Sequence, residues 1–155
     1  MAVGQDLATE YQETIAEVIA FAEGCSDDDW QTPCLNEERT VGVLFDHVAA
    51  GNGDAMGWIE SFLAGQPVRI TREELQTANA EHALKVAGRP RTETIADLRA
   101  SSARTAELIG GLSQDQLEVT QEFGSAGRQD LAWVVAAAIR HPRIHFQSIR
   151  DALDR

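Results

Sequence analysis

Apolar side chains recur every three to four residues in four long runs of this chain, and that spacing admits little besides amphipathic helices. The first run extends from about Gln5 to Glu23. It places Leu7, Tyr11, Ile15, Val18, Ile19 and Ala22 on one face, with Glu10, Glu13 and Glu17 elsewhere, and Gly24 ends it. The second opens at Thr40, a good N-cap, and carries Val41, Leu44, Phe45, Val48 and Ala49 toward Ile59, Phe62 and Leu63. Gly65 and Pro67 close it. The third opens at Thr92 or Thr94, uses Ile95, Leu98, Ala106, Leu108 and Ile109, and stops at Gly110-Gly111. The fourth runs from about Gln129 to Ala152 through Leu131, Trp133, Val134, Val135, Ile139, Ile144, Phe146 and Ile149.

The connections carry their own signals. Ser26 is placed to cap a short turn that folds Trp30 back onto the helices. Thr71-Arg-Glu-Glu74 fits a capping box and predicts a helix to about Val86, which Gly88-Arg-Pro90 breaks. Ser113-Gln-Asp-Gln116 is a second capping box over a short turn, and 123–127 reads as a loop. Only Glu118 to Phe123 alternates as a strand would. Gly51, Asn52, Gly53 and Gly57 weaken the second long helix, and glycines in such a place mark close packing or approach of a ligand. The expectation is an all-α four-helix bundle, one domain over 1–155. A long, partly helical connection between the second and third bundle helices argues against simple up-and-down order.

The net charge of −12 makes nucleic acid and anionic membrane surfaces poor partners. No positively charged apolar leader opens the sequence, and no apolar run approaches the ~20 residues of a membrane span. Two cysteines, Cys25 and Cys34, do not make a disulfide framework. The default expectation is a cytoplasmic protein with reduced thiols, acting on a small molecule. Gly and Ala on the second and last helices would permit a homodimer.

Three of the four histidines lie inside apolar helices. His141 and His145 are four apart, which puts them on one helix face about 5–6 Å apart at Cβ. His47, from another helix, would complete a facial set, the way bundles build metal sites. A single histidine in such a helix is more often a packing residue, and an HxxxH pair also arises by chance. Pro142 lies between the two ligands, removes the hydrogen bond to the Ala138 carbonyl, and predicts a kink. His82, near Glu81 and Lys85, reads as solvated. Asp46 points about 100° away from His47 on a helix and is not expected to ligate. Cys34 reads as a packed or surface thiol. Trp30, Trp58 and Trp133 read as packing residues, and Arg140 and Arg143 as solvated cations that an anionic substrate could meet.

Ser26-Asp-Asp-Asp-Trp30-Gln-Thr-Pro33-Cys34, then Thr40-Val41 and Leu44-Phe-Asp-His47-Val, resemble the opening of the DinB-like superfamily, near the branch of mycothiol-dependent maleylpyruvate isomerase. The later His141/His145 pair resembles the superfamily's C-terminal ligands. The resemblance implies a four-helix bundle, often dimeric, with a metal triad on His47, His141 and His145. It also implies zinc or nickel as the metal and, in several members, a low-molecular-weight thiol as cofactor or cosubstrate. Two departures stand out. Arg39 occupies the aromatic position before Thr-Val, and His141 stands where the isomerase branch often has an acidic residue.

Three neutral imidazoles would leave an ion its full charge and an open position, a catalytic rather than structural pattern. The resulting expectation is a metal-dependent, thiol-using transferase or isomerase, with metal-assisted hydrolysis as the second choice. The alternative is a non-catalytic bundle that binds a metal or small ligand.

Overall fold

The computed structural model describes residues 2–155. Four long helices form the bundle: α1 (Val3–Gly24), α3 (Val41–Leu63), α5 (Arg91–Gly110) and α7 (Leu131–Leu153). α1 and α3 occupy opposite corners, and α5 and α7 each pack against both. α1/α3 and α5/α7 are therefore the diagonal pairs, while α3 and α5, joined by the long connection, lie side by side. That connection carries α4 (Arg72–Val86), which packs on α3.

The helices begin where local chemistry supplies caps. Thr40 accepts from the Val43 amide, Asp130 from the Trp133 amide, and Thr71 and Glu74 close a reciprocal capping box. Ser26 caps α2 (Asp27–Gln31), and Ser113 caps α6 (Gln114–Leu117). α5 starts one residue before the expected window, with Pro90 at the N-cap; Thr94 lies inside the helix, buried and engaged with Asp46. The core is filled by Tyr11, Phe45, Phe62, Leu44, Ile59, Leu98, Ile109, Leu131 and Ile149, all fully buried. Trp30 stacks on Phe45 at 5.0 Å, while Trp58 and Trp133 pack against Phe123. A polar rung crosses the diagonal: the Tyr11 hydroxyl donates to Asn52 Oδ1 at 2.7 Å, and Asn52 Nδ2 donates to Ser101 Oγ at 3.0 Å.

Two small hairpins flank the bundle. β3 (Thr120–Glu122) pairs antiparallel with β4 (Arg128–Asp130) across the expected loop, so the alternating stretch is a strand. The other hairpin, β1 (Pro33–Cys34) with β2 (Arg39–Thr40), has no alternating pattern to announce it, being two residues a side. No helix is long and apolar enough to cross a membrane among the described residues. α7 runs through Pro142 as one helix. Pro142 is buried, so core packing holds the segment helical despite the missing donor.

Candidate metal centre

His47 projects from the first half of α3, a stretch buried on nearly every side. His141 and His145 project from α7, the helix packed alongside. The structure brings these three together: one nitrogen from each lies within 4.8 Å of the others. His47 Nε2 and His141 Nε2 are 3.1 Å apart, and the ring centroids of His145 lie 4.6 Å from those of both His47 and His141. Two nitrogens bound at about 2.0–2.1 Å to one ion would be separated by roughly 2.9–3.4 Å, for angles between a right angle and tetrahedral. The observed separation falls in that range.

Gly51 makes this approach possible. A Cβ at that position would fall on the His141 ring. The glycine that lowers helix propensity in α3 is therefore the notch into which α7 presents an imidazole.

Electrostatics keep the cluster receptive to a cation. Burial first, then the charges of His141 and His145, push His47 down to about 2. Burial, then His145, push His141 down to about 4. His145 is lowered by burial against the opposing pull of Glu37. All three rings are neutral at neutral pH and offer lone pairs.

Glu37, in the β1–β2 turn, was not singled out by its sequence context. Its Oε1 lies 3.2 Å from His145 Nδ1 and accepts from Ser148 Oγ at 3.0 Å. A carboxylate accepting from Nδ1–H fixes the tautomer and leaves Nε2 as the free nitrogen, the usual orientation for a metal-binding histidine. The signal that could have found it is a carboxylate in the short segment between the Pro-Cys turn and the helix bearing His47. Sequence alone does not fold that turn onto α7.

The remaining candidates fall into place around the cluster. His82 is not solvated: its Nε2 lies 2.8 Å from Asp46 Oδ1, and it is half-buried. Asp46 is buried, and it also accepts from Arg89 at 2.8 Å and Thr94 at 2.7 Å. Burial alone would raise its pKa, but the hydrogen bonds from Thr94, Arg89 and His82 together hold it below the ordinary value. Its hydrogen bonds go to His82, Arg89 and Thr94, and they tie α3 to α4 and α5. Arg143 donates to Thr14 at 3.0 Å and pairs with Glu10, which makes it a clamp between α7 and α1. Cys34 is buried, and desolvation followed by Glu37 pushes its thiol up to about 11, so it is no nucleophile at neutral pH. Cys25 is likewise free, buried and raised.

The three histidines line a cavity of about 310 Å³ between α3, α4 and α7. Its wall is apolar at Ala55, Trp58, Leu75, Ala137 and Ile144, with Arg39, Asn52, Asp54, Asn79 and Arg140 as polar members. Such a mixture suits a small organic ligand.

A four-helix bundle with a three-histidine cluster opening onto a ligand-sized cavity defines a class of small helical proteins capable of holding a metal ion. Residues 6–149 match the family model of the DinB superfamily, and the chain belongs to that superfamily. No curated protein and no solved structure matches the chain.

Proposed function

We propose that this protein is a divalent-metal-dependent enzyme in which His47, His141 and His145 hold one ion, zinc or nickel. The observation that carries the reading is the convergence of three neutral imidazole nitrogens within 4.8 Å on the wall of a cavity, one of them oriented by Glu37. Bound there, the ion would supply Lewis acidity, lowering the pKa of a thiol or a water at its open position. Both cysteines of the chain are buried and raised, which disfavours a protein thiol as nucleophile and favours one supplied from outside. The resemblance of 26–48 to the mycothiol-dependent branch favours a low-molecular-weight thiol in that role, in a transferase or isomerase reaction on a small molecule. Free thiols fit a reducing, cytoplasmic setting.

The test begins with metal analysis of protein purified without a histidine tag. One ion per chain, lost in His47→Ala, supports the site; no uptake after addition of zinc or nickel removes it. Cobalt-substituted protein then separates an enzyme from a sequestering bundle. A spectrum perturbed by added thiols supports the thiol reading, and one that no thiol perturbs ends it.

A further inference from the structure

Arg39 stands out among the residues around the cavity. Its Nη1 is buried, with no hydrogen-bond partner among the described residues. Its other nitrogens are weakly engaged: Nε donates to the Glu37 carbonyl at 3.3 Å, and Nη2 lies 3.6 Å from Glu37 Oε2. His145 and Ser148 both bond Glu37 Oε1, and Oε2, the oxygen left for Arg39, stands beyond hydrogen-bond length, so no two-pronged pair closes with the guanidinium. Arg39 nevertheless lines the same cavity as the three histidines, and its positive charge helps hold all three neutral.

A buried guanidinium donor without an acceptor is costly, and the long contacts to Glu37 leave the side chain free to turn Nη1 toward a ligand in the cavity. Arg140, on the same wall, adds a second cation. If the metal reading holds, a dication on three neutral imidazoles places further positive charge beside both. Asp54 is the one carboxylate lining the cavity. Glu37 and Asp54 offset the two arginines, so the surplus charge is that of the dication and is balanced by what enters the site, while the Trp58, Leu75 and Ile144 wall calls for an apolar body.

We propose that Arg39 is the anion-recognition residue of this cavity, and that the molecule taken there is a small carboxylate with an apolar body. The planar guanidinium fork matches a carboxylate, and its position beside the cluster would set the distance between carboxylate and reacting atom. The charge balance rests on the metal reading above; the unpartnered donor does not.

The experiment therefore has two arms. Metal-free protein is titrated calorimetrically with phenylacetate and with phenylacetamide, and zinc-loaded protein with mercaptoacetate and with 2-mercaptoethanol. In both arms the carboxylate is expected to bind at least about tenfold more tightly than its neutral counterpart, the factor appropriate to a charge-assisted hydrogen bond. Arg39→Gln is expected to abolish that preference while bound zinc and thermal stability remain at wild-type levels, which a purely structural role for Arg39 would not allow. Equal affinities in the wild type, or a preference that survives Arg39→Gln, would overturn the assignment. The side-chain Nε–H resonance of Arg39 provides a check in the wild type itself: it should move with phenylacetate and not with phenylacetamide. Failure to take up zinc would remove the metal reading, while the metal-free arm would still decide the role of Arg39.

Discussion

Gly51 and Glu37 act on different histidines of the cluster, one by leaving space for His141 and the other by accepting a hydrogen bond from His145. Gly51→Ala would ordinarily strengthen a helix by about 0.5–1 kcal/mol. Here the added methyl meets His141, so the expected outcome is at least a tenfold loss of zinc affinity with no gain in thermal stability, read by competition with a chelator and by calorimetry. Glu37→Gln retains the shape but weakens the acceptor for His145. Loss of such a partner typically costs 10–100-fold, roughly, in metal affinity, and a titration of the variant should fall in that range. The histidines also impose a pH dependence on the metal-free protein. Their folded pKa values lie below the unfolded value of 6.5, at about 2 for His47 and about 4 for His141. Between these limits the unfolded chain binds protons that the folded one excludes, so stability rises with pH. The contribution is fully present above the unfolded pKa and is lost as acid carries the pH down toward the folded values. Urea unfolding from pH 7 to pH 4 should show this decline, and replacing His141 with Gln should flatten it.

At the scale of elements, α4 differs from its neighbours. It has no buried residue, so packing contributes little to its position. It is anchored through His82 and, just past its end, Arg89, both bonded to Asp46. Asp46→Ala removes the shared acceptor and should cost ~2–3 kcal/mol of stability, as for hydrogen bonds to a charged group. The sharper expectation is local: hydrogen exchange should accelerate across 72–86 while the amides in the buried halves of α3 and α7 stay protected relative to it. Because Leu75 and Asn79 form part of the cavity wall, ligand affinity should weaken in the same variant.

What was legible in the sequence divides along this line. The long helices, their caps at Thr40 and Thr71, and the stops at Gly24 and Gly110 are written in local periodicity and capping chemistry. The meeting of His141 with His145 is local too, a matter of helical spacing. The part played by His82 was not legible, because its partner Asp46 is 36 positions away and pairing needs the α3–α4 turn to close. Glu37 was hidden for the same reason: 108 positions separate it from His145. Its hairpin is too short to leave a pattern. The apolar periodicity places Pro142 inside one continuous helix, and α7 does run through it, with burial in the bundle holding the segment helical.

Across the whole molecule, the diagonal placement of α1 and α3 opens a seam in which α3 and α7 present their histidines to one another, with α4 as the outer wall. The Tyr11–Asn52–Ser101 rung lies one turn along α3 from His47 and joins three of the four bundle helices. Tyr11→Phe should cost about 1–3 kcal/mol of global stability by leaving the buried Asn52 oxygen unpaired, a loss measurable by denaturant unfolding. The measurement that tests the central claim most directly is X-ray absorption on zinc-loaded protein free of any tag. The expected result is one ion with imidazole nitrogens from three histidines at about 2.0–2.1 Å. A spectrum without imidazole scattering, or an ion retained unchanged when His47, His141 and His145 are all replaced by alanine, would contradict it.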